Sequence, residues 1–540
     1  MDLEKGGHGT PEILSQTPPD KLQRPLTADE KLAATTIDID SRGSNTSKDI
    51  EYNGLSAHQG NGILARLRRF EESLDRRLGV ESQAIDRKLP EERAGVSWWD
   101  QVNMAFLWSS GVLNISCFAT GFLGFFFSLS LKQTILIVIF GSFLGSSLTG
   151  FCATFGAPMG LRQISVSRYS MGWYPNKVIA LLNSIQNLGW SAVACITGGL
   201  ALEAVSNGHV SVEVGIVVIA VVSFVVSFVG LRAILVYEKY AWFVFFIVFM
   251  IIFGETAPYY DNTTPASVTG ATLSGQVLTL LAIIYGSSAS WSTCASDYYV
   301  HYPPNVSRVK VFLMTTCGIA IPTSIGMTAG ACVASAFNNV PAWAKADDRG
   351  LGFLIQTMLY PRGFADFILV LLVLSGINNS IISVYSSAIS FQQLARPFAL
   401  IPRFLWNILC FCIVIALASA SRNSLLTYLQ DFLSLLGYWC TSYVVIVFSE
   451  HFIFRKGDFK NYNLEGWNDP AVLPHGFAAG ASWVLGAVAW ILGMNATWFI
   501  SPIAKTIGAH GGDVANELTL VVTALAFIPL RAMELKYFGK

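Results

Sequence analysis

From Trp98 onward the chain alternates between long apolar runs and short polar or charged connections. A membrane-spanning helix needs about 20 mainly apolar residues. Twelve segments meet that length, at approximately 104–129, 134–154, 177–204, 212–230, 240–257, 275–297, 311–336, 364–391, 402–420, 426–449, 475–495 and 517–536. The expected fold is an all-α polytopic membrane protein, with twelve transmembrane helices in residues 97–540.

Residues 1–96 follow a different pattern. Met1 to about Asn61 is rich in Gly, Ser, Thr, Pro and charge, a composition that predicts a largely disordered segment. Then Ile63, Leu67, Phe70, Leu74 and Leu78 fall on one helical face, with arginines on the other. This spacing predicts a basic amphipathic helix near 63–78. Such a helix suits an anionic membrane surface. Docking on the protein's own cytosolic loops is the equal alternative.

Two spans break the apolar pattern. The sixth begins apolar and then reads Tyr285-Gly286-Ser287-Ser288-Ala289-Ser290-Trp291-Ser292-Thr293-Cys294-Ala295-Ser296-Asp297-Tyr298. Lipid cannot satisfy a loosened backbone, so such a break belongs where protein or a water-filled cavity surrounds it. The first span carries a related interruption, Trp108-Ser109-Ser110-Gly111, five spans earlier. Broken helices in equivalent positions of two inverted repeats are a transporter design, with substrate bound near the bilayer midplane. Ser and Gly in membrane helices are also ordinary packing devices.

Polar residues at membrane depth sharpen this reading. Asn183, Gln186 and Asn187 share one side of span three, and Asn378 and Asn379 lie in span eight. Carboxamides in hydrocarbon are costly without partners. They both donate and accept, so they suit the edge of a nucleobase or another heterocycle, with Trp291 as an aromatic platform. The alternative is hydrogen bonding between helices. Among the carboxylates near span ends, Asp297 is a candidate gate latch, pairing with Arg308 or a loop backbone. Glu255 and Asp366 are candidate protonatable groups, although solvated span-end carboxylates are the simpler reading.

Composition agrees. The chain is 53% hydrophobic and 13% charged, against about 25% charged residues in soluble domains. Net charge is zero, which points to no nucleic-acid partner. The nine Cys are scattered without a CxxC, so no zinc site or disulfide framework is expected. No catalytic triad, HExxH or Walker loop is present, which argues against an enzyme or an ATP-driven pump. No apolar stretch near the N-terminus resembles a cleavable signal peptide.

Loops after even-numbered spans hold Arg162, Arg168, Lys177, Arg232, Lys239, Arg308, Lys310, Arg396, Arg403, Arg455, Lys456 and Lys460. Loops after odd-numbered spans hold only Lys132, Lys345, Arg349, Arg362, Arg422 and Lys505. The basic loops face the cytosol, which puts both termini there. The sequons at Asn262 and Asn495 then fall outside.

The loop after span two reads Gly156-Ala157-Pro158-Met159-Gly160-Leu161-Arg162-Gln163-Ile164-Ser165-Val166-Ser167-Arg168-Tyr169-Ser170-Met171-Gly172-Trp173-Tyr174-Pro175. It resembles the signature loop of the nucleobase–cation symporter-1 family, in its fungal purine–cytosine permease branch. The stretches Ser97-Trp98-Trp99-Asp100-Gln101 and Ala295-Ser296-Asp297-Tyr298 point the same way. The resemblance covers roughly 95–540. It implies a LeuT-like 5+5 inverted repeat with discontinuous helices 1 and 6. It also implies proton-coupled import of purine bases and cytosine at the plasma membrane, with no cofactor beyond the coupling ion. By position, Ser110, Asn187 or Gln186, Trp291, Asn378 and Asn379 match the family's substrate-binding residues. Gly111-Val112 follows the span-one serine where the branch carries an Asn, and no Pro follows Asn378-Asn379. These departures fall in the binding region and leave a vitamin B6 or other heterocycle carrier as the alternative. A non-transporting sensor or scaffold is a further one. Membrane lipid and a small-molecule substrate are the expected partners.

Overall fold

The first expected span is two helices. In this computed structural model, α1 (Trp98–Val112) and α2 (Ile115–Gly121, continued by a turn over Leu123–Phe126) meet at 64°. The break lies at Leu113 and Asn114, a few residues after the Ser109–Gly111 interruption read from the sequence. Asn114 explains the displacement. Its Oδ1 accepts from the Cys117 backbone N–H at 2.9 Å, capping α2, and its Nδ2 donates to the Gly111 carbonyl at 3.1 Å, satisfying the end of α1. One carboxamide thus serves backbone groups on both sides of the break. Ser109 stays helical because its hydroxyl bonds the Ala105 carbonyl one turn back.

The structure describes residues 85–93, 95–227 and 231–540, together with Arg66, Leu67, Arg69, Phe70, Glu71 and Ser73. The helices that follow are α3 (Leu131–Ala153), α4 (Pro175–Val205), α5 (Val212–Ser227), α6 (Leu231–Thr256), α7 (Gly270–Ala289) and α8 (Arg308–Ser335). After two short helices on one rim come α9 (Arg362–Leu394), α10 (Arg403–Ser421), α11 (Leu425–Ser449), α12 (Phe477–Gly493) and α13 (Ala515–Phe538). Among the described residues nine helical stretches are long and apolar enough to cross a membrane, the bent first pair makes a tenth, and two further apolar helices are shorter.

Packing partners recur at an offset of five spans. The helix of span two packs on that of span seven (α3 on α8), that of three on eight (α4 on α9), and that of five on one as that of ten on six (α6 on α1, α11 on α7). Two five-helix units related by a pseudo-twofold axis would produce this pairing. The last two helices, α12 and α13, pack on each other and on α11. Close approach is built in at Gly286, where a Cβ would lie 1.9 Å from the Leu433 carbonyl of α11.

The ends of α11, α12 and α13 are tied by a buried charge cluster. Arg531 donates through Nε and Nη2 to both Glu450 oxygens at 2.9 and 3.1 Å and through Nη1 to Glu534 at 3.1 Å. Arg455 adds a second cation on Glu450 at 2.9 Å, while Glu534 accepts from the Gly476 and Phe477 N–H groups that begin α12. Each buried charge therefore has an opposite partner, the condition for tolerating it.

Most of the tail helix expected at 63–78 lies outside the described residues. Those described dock on the protein: the Glu71 carboxylate accepts from the Arg403 backbone N–H at 2.7 Å, and Phe70 meets Phe404 edge-on. Asn495 of the second sequon is buried, its Nδ2 donating to Thr279 Oγ1 and the His510 carbonyl, so this asparagine is used in packing.

Candidate functional site

The half of the sixth span that the sequence marks as interrupted does unwind. After Ala289 the backbone tightens into a 3-10 turn over Ser290–Thr293, leaves helical geometry at Cys294 (φ −130°, ψ 4°) and makes a second turn over Ala295–Tyr298. All of these residues are buried. The breaks in spans one and six face each other across the bundle interior. Between them lies a small cavity of about 20 Å³, lined by Gly111, Val112, Asn114, Cys117, Thr120, Trp190, Ser287, Trp291, Thr323 and Asn379. That is room for a water molecule or two.

Two tryptophans form its aromatic side. Trp190 of α4 and Trp291 lie nearly parallel, 18° apart, with ring centroids 6.0 Å apart. Trp108 of α1 meets Trp291 edge-on at 6.0 Å. The Trp190 indole N–H donates to Ser290 Oγ at 3.3 Å and that of Trp108 to the Tyr299 hydroxyl at 3.4 Å, which fixes both rings. Asn379 also lines it; the residue is fully buried, and neither its amide oxygen nor its amide nitrogen has a hydrogen-bond partner. A buried, unpaired amide costs on the order of 1–3 kcal/mol.

The other expected binding residues sit beside the cavity. Gln186 donates to the Ser290 carbonyl and to Thr293 Oγ1, both at 2.7 Å, and to Asn183 Oδ1 at 3.1 Å. Asn183 in turn reaches Ser390 Oγ of α9 at 2.7 Å. These two amides therefore tie α4 to the unwound segment and to α9. Asn187 donates to the Asn183 carbonyl at 2.7 Å, and its Oδ1 is buried without a partner. Ser110 donates to the Leu107 carbonyl at 3.0 Å, and Asn378 is buried in α9. None of these five lines the cavity. Trp190 does, and it was not singled out from the sequence. Its signal was the helical repeat, since Asn183, Gln186, Asn187 and Trp190 fall at i, i+3, i+4 and i+7.

On the far side of the unwound segment the loop after α3 is folded inward as short, buried helical turns (Gly156–Met159, Gln163–Val166 and Arg168–Met171). It locks onto the segment around Asp297. The Gln163 backbone N–H donates to Asp297 Oδ1 at 2.7 Å, and the Ser296 N–H donates to Gln163 Oε1 at 3.2 Å. Gln163 Nε2 donates to the Tyr443 hydroxyl at 2.7 Å. Arg162, 1% exposed, donates to the Asp297 carbonyl at 3.3 Å and to the Tyr385 hydroxyl at 3.1 Å. Of the two partners expected for Asp297, the loop backbone is the one present; Arg308 donates instead to the Gly457 carbonyl at 3.3 Å.

The segment before α1 clamps this plug from outside. Arg87 donates to the Met159 carbonyl at 3.1 Å, and Arg93 to the carbonyls of Ala157, Lys88 and Tyr302. Gly160 makes the clamp possible: its φ is +65°, and a Cβ there would overlap the Arg93 guanidinium. Glu255 is exposed at the end of α6, and Asp366 accepts from Gln356 at 2.5 Å at the start of α9. Neither lines the cavity.

The comparisons with known proteins agree with this geometry. The chain is 34% identical over 503 residues to the purine-cytosine permease fcyB of Emericella nidulans, covering 92% of this chain and 96% of that protein. It is 28% identical over 564 residues to the vitamin B6 transporter TPN1 of Saccharomyces cerevisiae, covering 95% and 96%. Its fold matches that of Mhp1, a nucleobase-cation-symport-1 family transporter solved in a closed conformation with bromovinylhydantoin bound. The TM-score is 0.63 at 16% identity, over 85% of this chain and 96% of that one. The family model "permease for cytosine/purines, uracil, thiamine, allantoin" matches residues 90–513. The chain belongs to this permease family and is a LeuT-fold membrane transporter, not an enzyme.

Proposed function

We propose that the protein imports purine bases and cytosine across the plasma membrane by proton symport, with both termini in the cytosol. The observation that carries the substrate class is Asn379: a fully buried carboxamide with both amide atoms unpaired, on the wall of a cavity that Trp190 and Trp291 flank. A planar heterocycle with adjacent donor and acceptor atoms completes that amide and offers two π faces. The printed activities of the relatives, purine-cytosine permease and vitamin B6 transporter, are both carriage of such rings. Ring atoms in contact sit about 3.5–4.0 Å apart, so the two indoles must separate by about 1 Å or more for a ring to enter between them. Asn187, whose Oδ1 is also unpaired, is the second candidate amide, on the same helix as Trp190. Ser110 and Asn378 contribute from the neighbouring turns of α1 and α9.

The cycle this supports is alternating access. The plug at Asp297 seals one side, and its release together with movement of the broken helices opens the site to the cytosol. A proton moving inward through 100 mV supplies about 2.3 kcal/mol, enough for roughly fiftyfold accumulation. Labelled adenine and cytosine uptake in cells expressing the chain, competed by unlabelled bases, nucleosides and pyridoxine, tests the reading. Uptake of pyridoxine alone would move the chain to the vitamin class, and absence of any flux would remove the transport assignment. Loss of uptake with a protonophore, at constant sodium, is expected; dependence on sodium alone would overturn proton coupling.

A further inference from the structure

A groove of about 970 Å³ runs down the outside of the bundle between α3, α7, α11 and α13 and opens beside Arg308 at the start of α8. Its walls are apolar and aromatic, including Phe151, Leu281, Phe312, Val444, Phe448 and Leu520. We propose that this groove binds one anionic phospholipid of the cytosolic leaflet, its acyl chains in the groove and its phosphate on Arg308.

Length is the first argument. The lining runs from Thr441 on α11 to Ile453 in the helical turn that continues it (Glu450–Phe454), and from Glu517 to Ile528 on α13. At the helical rise this is about 16–18 Å, close to half of a hydrocarbon core of about 30 Å. The groove is one leaflet deep.

Charge is the second. Arg308 is exposed at the mouth and forms no ion pair among the described residues. Its guanidinium stacks over Phe459 at 5.1 Å and donates to the Gly457 carbonyl, which draws the loop carrying Lys456 and Lys460 to the same rim. Asp458 is the acidic residue of that loop, and it accepts from the Lys460 backbone N–H. The opposite end holds Glu517, so an anionic headgroup fits one orientation. The Tyr285 hydroxyl, Thr441 and Asn516 at that end bond one another, at 2.7 and 3.2 Å. The Arg308 rim lies on the side that loop charge assigns to the cytosol, where anionic lipids concentrate.

The position gives the lipid leverage. Leu281, Ala282 and Tyr285 belong to the helix that unwinds after Ala289, and Arg308 follows the gate segment in sequence. A lipid seated here braces the plugged state from outside, whatever the substrate.

The test uses the full chain in nanodiscs of phosphatidylcholine alone or mixed with phosphatidylserine, with native mass spectrometry after delipidation and a thermal melt. One retained phosphatidylserine and a higher midpoint in the mixed discs are expected. Arg308→Gln should weaken retention about fivefold, the share of one surface cation, and Arg308→Lys should restore most of it. Ala524→Phe, which fills the groove, should abolish retention with Arg308 intact. Equal retention of phosphatidylcholine, retention unchanged in Arg308→Gln, or recovery of a sterol instead would overturn the proposal. So would a disulfide-linked dimer of the delipidated Phe448→Cys variant.

Discussion

The Gln163 backbone N–H donates to the Asp297 carboxylate at 2.7 Å, joining the loop after α3 to the unwound end of the sixth span. Replacing Asp297 with Ala leaves that buried donor without an acceptor, at a cost of about 1–3 kcal/mol, and loosens the plug. Cys294, fully buried three residues earlier, reports the change. A membrane-permeant maleimide, with sites mapped by mass spectrometry, should label Cys294 faster in Asp297→Ala than in the unmodified chain. Unchanged labelling would show that the plug does not depend on this contact.

Asn379 and Gln186 should separate by readout. Asn379→Ala removes an amide that bonds nothing, so the melting midpoint holds or rises while substrate affinity falls by about 1–3 kcal/mol, roughly five- to 150-fold. Gln186→Ala removes two hydrogen bonds that tie α4 to the unwound segment and one to Asn183 within α4, so its midpoint falls first. Uptake kinetics alongside a thermal-shift assay distinguish the two.

Trp190→Ala should raise the apparent KM for uptake as strongly as Trp291→Ala, since the rings flank the same cavity. Trp190→Phe keeps an aromatic face and should lose only about 0.5–1.5 kcal/mol of affinity. A Trp190→Ala carrier with an unchanged KM would confine the stacking role to Trp291.

In the buried charge cluster, Arg531→Met strands the Glu450 carboxylate with Arg455 alone. Removing one partner of a buried pair costs about 3–5 kcal/mol. The double variant Glu450→Gln with Arg531→Met should be less destabilised than the sum of the singles. Thermal unfolding of the four proteins in one detergent closes the cycle.

Asp513 lies in the loop before α13, and burial pushes its carboxyl up to about 6, against hydrogen bonds from Tyr438 and from the Asn495 and Ala515 N–H groups. A folded-state value above the ordinary 3.8 means that this group's contribution to stability is full below about 4 and is lost as pH rises through about 6. Asp513→Asn should flatten the fall in midpoint between pH 4 and about 7. Asp347, also pushed up to about 6 by burial and by Asp348, stays in the variant as an internal reference.

Much of this architecture is legible in the sequence, for physical reasons that also mark where legibility stops. The unwinding after Ala289 shows because lipid-facing helices do not carry a run of hydroxyls and small residues. The first break shows only approximately: Ser and Gly are tolerated inside a helix, and Asn114 caps both sides of the actual break. Asn379 is readable as a costly amide, but Gln186 and Asn183 look the same in one dimension. Only packing reveals that their partners are Ser290, Thr293 and Ser390. The signature loop reads as an exposed basic connection. Its burial depends on Asp297, Tyr385 and Tyr443, which lie far along the chain.

The smallness of the central cavity has a thermodynamic consequence. The resting conformation has no room for the cargo, so only the fraction of molecules with the indoles apart is competent to bind. The measured dissociation constant is therefore the intrinsic one divided by that fraction. A substitution that weakens the edge-on contact of Trp108 with Trp291 enlarges the competent fraction. It tightens apparent binding without touching the ligand, and it slows turnover if the cargo then leaves less readily.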